Sequence, residues 1–417
     1  MKKVMGLIML GVLFGISATA EQVVIRYAHW NALPEDPFNY VKAFEQLYPQ
    51  YKIDFTLIPE AEYPATLRQM AVTGTLPDVL CLWEYDIVEF AKAGYVIPLD
   101  QYVAQSPIIN VEDFIPATKE LMAMQGGLYG LPWCYATHVL YYNKDLFDKA
   151  GIPYPDENWT WDDFVRAARA LTDPAAGIYG CDAIIFHGIW YDLIGTFGDP
   201  IIDEKGRFAI GGCAEKLLEE LYKLTAEGVI AKPAALAMGA AAVDLFAAGK
   251  AAMKFDGSWM TTQYKDITAF AWDIAPTPKV GDRRYVHLHT GFFAINANSK
   301  VKDAAWKFIE YCLTHFAQTL IVRGATVFSS RASLAEKGEG IYGIKGPRNW
   351  KAVWTQVESG HWGYLLFPAT VWMDAVDDFY SVMLGSLSPS AAVQRAIQRA
   401  KDVLGTDKVA PYAPCGS

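Results

Sequence analysis

The chain has 417 residues and a formal net charge of −10, with 52% hydrophobic and 20% charged residues. An acidic balance of that size repels nucleic acid and anionic membrane, so neither is expected as a main partner. The apolar share excludes a disordered chain. Aromatic residues reach 14%, with 13 Trp and 23 Tyr, more than a core of this size needs, so some rings are expected on a functional surface.

Lys2 and Lys3, the apolar run from Val4 to Ile16, and Ala18-Thr19-Ala20 before Glu21 have the layout of a secretory signal peptide. The run is too short for a membrane span, which needs about 20 residues. No cysteine follows the cleavage site, so no lipid anchor is expected there. Excising residues 1–20 leaves 397 residues and takes the charge from −10 to −12. That length exceeds one typical core, so two lobes are expected. No later segment is apolar enough to span a bilayer.

Gln22–Ala28 alternates as a strand, and His29-Trp30-Asn31 leaves it. Pro34–Tyr48 has helical period, with Phe38, Val41, Phe44 and Leu47 on one face. Lys52–Ile58 is a predicted strand, Glu60–Val72 a helix, Asp78–Leu82 a strand ending in Trp83-Glu84-Tyr85-Asp86, and Ile87–Ala93 a helix closed by Gly94. Three strands alternating with three helices predict a parallel sheet with crossover helices. Strands at Leu128–Leu131 and His138–Tyr142 flank Pro132-Trp133-Cys134-Tyr135. Asn143–Ala150 is a helix, and a second is capped by Thr160 with Asp163 as capping-box partner and runs to Leu171. Tyr179–Phe186 reads as a strand, followed by His187 and Trp190. Cys213–Glu227 and Ala240–Ala248 read as helices, and Ala251–Phe255 as a strand ending in Asp256-Gly257-Ser258-Trp259. Strands at Trp272–Ala275 and Tyr285–Asn296 follow. Helices at Lys302–Thr314, Trp350–Glu358, Trp372–Leu384 and Pro389–Leu404 close the chain, and the tail from Gly405 to Ser417 is expected to be mobile.

The six cysteines show no C-x-x-C spacing, which argues against a zinc ribbon or thioredoxin-type site. Cys81, Cys134 and Cys312 read as buried thiols, and Cys181–Cys213 is one possible bridge. H-E-x-x-H and G-x-S-x-G are absent, and Gly249-Lys250 continues with Ala, so there is no Walker A loop. Gly338–Gly343 fits G-x-G-x-x-G, but Gly346-Pro347 follows it and stops a helix, so it reads as a surface loop. His287 and His289 alternate on one strand face and could bind a metal. No third ligand lies near them in sequence, so they read as ordinary strand histidines. No metal and no cofactor are expected.

Four predicted strands end in an aromatic plus a polar residue: His29-Trp30, Trp83-Glu84, His187 with Trp190, and Asp256 with Trp259. Open parallel sheets bind ligands beyond the carboxyl ends of their strands. Tryptophan in short strand-to-helix loops is a poor surface choice unless something covers it. The four positions together therefore suggest a shared binding cleft.

The run Leu140-Tyr141-Tyr142-Asn143-Lys144-Asp145-Leu146-Phe147, then Ala150-Gly151-Ile152 and Thr160-Trp161-Asp162-Asp163-Phe164, resembles the extracellular solute-binding proteins of carbohydrate ABC importers, relatives of maltose-binding protein. Leu76-Pro77-Asp78-Val79, Gly127-Leu128-Tyr129-Gly130-Leu131-Pro132, Gly249-Lys250-Ala251-Ala252-Met253 with Gly257-Ser258-Trp259, and Gly291-Phe292-Phe293-Ala294-Ile295-Asn296 agree in the same order. The resemblance covers nearly all of the mature chain. It implies an α/β, two-lobed periplasmic-binding-protein-like fold of type II, each lobe a mainly parallel sheet flanked by helices. By analogy the N-terminal lobe is 21–132 plus 296–345 and the C-terminal lobe 133–295 plus 346–417. Gly and Pro near the crossings suit hinges.

The resemblance implies a non-enzymatic, periplasmic, monomeric receptor. It would capture a mono- or oligosaccharide between the lobes and deliver it to the transmembrane permease subunits of an ABC importer. Rings stack on a sugar's C–H faces, and polar groups, ionised ones above all, hydrogen-bond its hydroxyl rim. The ring candidates are Trp30, Trp83, Trp133, Tyr135, Trp190, Trp259 and Trp372. The rim candidates are Glu84, Asp86, Asp256 and His289, with Glu60 and Arg331. The alternatives are the same fold binding a polyamine or a glycerol phosphoester, or a secreted glycosidase using two of these carboxylates.

Overall fold

A computed structural model describes residues 22–124, 127–233, 244–325, 327–336, 347–357, 360–361 and 367–416. The expected signal peptide and the loop Gly338–Gly343 lie outside the described residues.

The strands, in chain order, are β1 (Val23–His29), β2 (Tyr51–Leu57), β3 (Val79–Trp83), β4 (Leu131–Pro132), β5 (Cys134–Asn143), β6 (Tyr179–Cys181) and β7 (Ile201–Ile202). They continue as β8 (Phe208–Ala209), β9 (Ala251–Gly257), β10 (Trp272–Ala275), β11 (Val286–His289), β12 (Gly291–Ile295), β13 (Phe328–Ser329) and β14 (Gly360–His361). The first sheet runs β2-β1-β3-β12-β4. Its β1 pairs in parallel with both β2 and β3. Parallel neighbours need crossovers, supplied by the helices Tyr40–Leu47 and Tyr63–Thr73. The first begins at Tyr40, six residues later than its apolar period suggests, because Asn39 is the N-cap and its side chain accepts from the Lys42 amide.

The second sheet runs β14-β11-β5-β9-β6, with β10 and β13 also on β5. Its spine, β5, is buried at all ten positions. Alternation along a strand sends successive side chains to opposite faces. Accordingly Tyr135, Val139 and Tyr141 join the apolar core shared with the first sheet, while Leu140 and Tyr142 join a second core with Phe147, Trp161 and Phe164. The expected capping box at Thr160 and Asp163 is present in full.

At Trp133 and Thr290, which lie side by side, the backbone passes between the sheets; it passes again between Ile295 and Phe328, since β13 pairs with β5. The Trp133 amide donates to Gly291 O at 3.0 Å, and the Thr290 hydroxyl donates to Cys134 O at 2.7 Å. Gly291 permits this approach, since a Cβ there would stand 2.3 Å from Trp133 Nε1. The expected single strand Tyr285–Asn296 therefore breaks at Thr290. Gly291–Ile295, expected in the second lobe, pairs instead with β3 and β4 of the first sheet. All five of its residues are buried, so it fills an interior position between two other apolar strands.

Three other expectations are corrected. The strand expected to reach Phe186 stops at Cys181, because the Asp182 carboxylate turns to accept the amides of Ala183, Leu245 and Phe246. Within Ala240–Ala248, the described residues from Leu245 to Ala248 form turns rather than helix. The disulfide joins Cys213 to Cys415, and Cys181 is a free buried thiol like Cys81, Cys134 and Cys312. That bond fastens the tail, which also accepts from the Gly212 amide at Ala413 O and donates from the Ala410 amide to Phe208 O. Among the described residues no helix is long and apolar enough to cross a membrane.

Candidate functional site

The strand ends of the two sheets meet along the seam beside Trp133 and Thr290. On the first-sheet side, Trp30 follows β1 and Trp83 ends β3, and their rings stack at 3.8 Å between centroids. His29 stacks on Trp30 at 4.5 Å, and Tyr63 and Trp133 close on the same ring from other directions. Trp133 Nε1 donates to Cys81 Sγ, and the ring is buried with Trp30. Trp83 is half-buried and Tyr85, stacked beyond it, is exposed. Thus Trp30 and Trp133 back the pile, while Trp83 and Tyr85 have free surface.

On the second-sheet side the rings meet mostly at an edge. His289 meets Trp259 at 5.0 Å, Trp259 meets Phe186 at 5.5 Å, Phe186 adjoins His187 at 4.4 Å, and His187 reaches Trp372 at 4.8 Å. Trp259, Phe186 and His187 are half-buried, whereas Trp372 is buried and donates from its indole to Phe367 O.

Between the two walls stands a polar cluster. Glu84, one residue beyond β3, is 3% exposed. Its Oε1 lies 3.1 Å from His289 Nδ1 and 3.4 Å from His287 Nε2, and its Oε2 accepts the Thr290 amide at 3.2 Å. Burial alone would raise this carboxyl, but the two histidine hydrogen bonds outweigh it and hold the group at about 2, ionised. Burial lowers His287 to about 4 and pushes His138 well below the ordinary range, so both are neutral at pH 7. Asp192 accepts the His287 amide on one oxygen and faces His138 Nδ1 at 2.5 Å with the other.

Of the expected site residues, Trp30, Trp83, Trp133, Glu84, Trp259, His289 and Trp372 are brought to this seam. Glu60 is exposed beside it, its carboxyl raised by burial against a lowering contribution from His289. The rest lie apart. Trp190 is fully buried one turn inside the helix His187–Phe197, against Phe379 and Tyr380, because that helix is covered on all sides. Tyr135 is fully buried against Phe328. Asp86 is engaged by Arg68 at 2.6 Å, and burial raises its carboxyl to about 7. Asp256 is paired with Lys254 at 3.0 Å. Arg331 is engaged by Asp113 and Leu313 O. Sequence reading missed His138, Asp192, Phe186 and Tyr85. Only Tyr85 carried a signal, its place inside the Trp83–Asp86 run.

Residues 38–319 match the family model of the bacterial extracellular solute-binding protein. A mannitol-binding protein of Pseudomonas aeruginosa is 29% identical over 283 residues, covering 64% of this chain and 63% of that protein. An ABC substrate-binding protein from Listeria monocytogenes, solved in complex with cycloalternan, superposes with a TM-score of 0.81 at 23% identity, over 92% of this chain and all of that one. The sugar-binding protein MalE from Xanthomonas citri superposes with a TM-score of 0.78 at 22% identity, over 92% of this chain and 98% of that one. Likeness at such identities establishes the fold, which is of the two-lobed type expected.

Proposed function

The chain belongs to the bacterial extracellular solute-binding protein family, and from that premise we propose that it captures a sugar or polyol in the seam between its sheets and passes it to an ABC permease. One observation carries the reading: rings with free surface stand on both sides of a polar seam. Trp83 and Tyr85 belong to the first sheet's end, and Trp259, Phe186 and His187 to the second's. Rings of this kind present flat apolar faces to C–H surfaces, and the nearby acids suit hydroxyls. The relative that binds mannitol and the neighbours with sugar ligands or sugar-binding names support the same class. The lobes would follow the sheets, with crossings at Trp133 and Thr290 as hinges. Contacts made by one solute to both walls would shift the population toward a closed state, the form that docks on the permease. The reading is of a monomeric receptor outside the cytoplasmic membrane with no catalytic role.

The test is a thermal-shift screen of the chain lacking residues 1–20 against mono- and oligosaccharides and polyols, with polyamines and glycerol phosphates alongside. A ligand at a hundredfold excess over its dissociation constant adds about 2.7 kcal/mol of stability. The expected result is a shift with one carbohydrate class that Trp259→Ala abolishes. A flat response to every carbohydrate, with a shift from a polyamine or phosphoester, overturns the substrate class and leaves the fold standing.

A further inference from the structure

The Glu84 cluster raises a question of proton inventory. Asp192 Oδ2 lies 2.5 Å from His138 Nδ1, so the proton of this neutral ring sits on Nδ1 and its Nε2 is an acceptor. His289 Nε2 stands 3.2 Å from that acceptor and must donate to it. With Nε2 as the donor, His289 Nδ1 turns its lone pair toward Glu84 Oε1 at 3.1 Å. Two lone pairs cannot be held face to face in a buried site. A proton or a metal ion must bridge them, and His287 Nε2, 3.4 Å from the same oxygen, brings a third donor to the same point.

We propose that Glu84, His287 and His289 form a binding site for a divalent transition-metal ion of the zinc class, spanning the two sheets at the hinge. One oxygen or nitrogen from each of the three lies within 4.8 Å of the others. Zinc bonds of about 2.0–2.1 Å in tetrahedral array put neighbouring donors about 3.3 Å apart. The two edges from Glu84, 3.1 and 3.4 Å, bracket that spacing. Two imidazoles and one carboxylate are a donor set that zinc accepts with a fourth position left open. The supports of a built site are also present. Metal-bound histidines are oriented by what their other nitrogen meets, and for His289 that is His138, itself held by Asp192. Asp192 further takes the His287 amide, and Thr290 steadies Glu84.

Such an ion would join the end of β3 to β11 immediately before the Thr290 crossing. It would thus tie the first sheet to the second whether or not a solute is present. Glu84 and His289, expected to meet a sugar's rim, would be spent mainly on the ion. This inference does not depend on the sugar reading, and each can fail without the other.

The experiment is a Co²⁺ titration of the chain, produced without a histidine tag and stripped with chelator, followed by visible absorption, with Zn²⁺ as competitor. The expected result is intense d–d bands of low-coordinate nitrogen- and oxygen-ligated Co²⁺ that saturate at one ion per chain and vanish on adding Zn²⁺. Glu84→Gln and His289→Gln should each weaken binding by about tenfold or more. His289 is at the rim of the cluster, so its variant is expected to fold. Nitrogen-15 NMR of the histidine rings in the metal-free chain supplies a readout without any substitution. Absence of the bands with a doubly protonated His289 ring overturns the proposal in favour of a plain ion pair. Saturable bands left unchanged by both variants overturn it by placing the ion elsewhere.

Discussion

The two walls of the seam are built from the same residue types and held in opposite ways. On the first-sheet wall, rings hold rings: Trp30 lies between Trp83, His29, Tyr63 and Trp133. On the second-sheet wall, charges hold the strand ends. Lys254 on β9 sits between Asp244 at 2.7 Å, Asp256 at 3.0 Å and the Tyr264 hydroxyl at 2.9 Å, and Asp192 ties His138 to the His287 backbone. An acid at a strand end thus has two different fates. Asp256 finds its cation two residues back on its own strand, whereas Glu84 finds its histidines on the other sheet. Compensation within one sheet makes a structural element. Compensation across the seam couples the two halves.

The largest expected effect tests the charge-held wall. The Lys254 side chain is 5% exposed. Burial alone would lower its ammonium group, but Asp256 and Asp244 raise it, so it is firmly charged. Lys254→Met leaves two acids facing each other without a cation, and breaking a buried pair in this way costs about 3–5 kcal/mol. Urea unfolding should show the midpoint falling at unchanged slope, and adding Asp256→Asn to that background should restore part of the loss. An unchanged midpoint would mean that the second wall, too, is held by its rings.

The ring-held wall is probed by acid. Burial lowers His29 to about 3, against 6.5 for a free imidazole. A histidine depressed in the folded state contributes stability that is fully present above pH 6.5 and is lost as the pH falls through the folded value. At about 1.4 kcal/mol per unit, the loss by pH 4 is about 3 kcal/mol. His29→Phe keeps a ring against Trp30 and cannot titrate, so its stability should fall less steeply than that of the parent chain between pH 6.5 and 4. Equal slopes would show that His29 takes up its proton without disturbing the pile.

What could be read from one sequence follows the range of the interaction. The parallel start of the first sheet was legible because helix and strand periods are local, and so was the capping box at Thr160 and Asp163, three residues apart. The partner of Cys213 lies 202 residues away, and the third group of the His287–His289 pair is Glu84, more than 200 residues earlier. No spacing rule reaches that far. Trp190 failed for a local reason: the expected strand ended five residues early, at Cys181, which moved the ring from a strand end into a buried helix. The tryptophans at true strand ends, Trp83 and Trp259, were legible because short loops after strands converge on the seam whatever the details of the packing.

The smallest effect gives the sharpest contrast between the walls. Arg68 is the first half's counterpart of Lys254, a cation bound to two acids near a strand end, Asp86 at 2.6 Å and Glu89 at 2.6 Å. In their partners the two look alike. Yet the Arg68 side chain is 42% exposed where that of Lys254 is 5%, and Glu89 is exposed as well. Water therefore screens most of the attraction. The buried partner also has another way to be neutralised: burial raises the Asp86 carboxyl to about 7, so it can take a proton once the guanidinium is gone. Arg68→Met should accordingly cost no more than about 1 kcal/mol at pH 7, measured by the same urea titration. A loss matching that of Lys254→Met would mean that the first wall also depends on its charges, and that exposure is the wrong measure of what a strand-end ion pair does here.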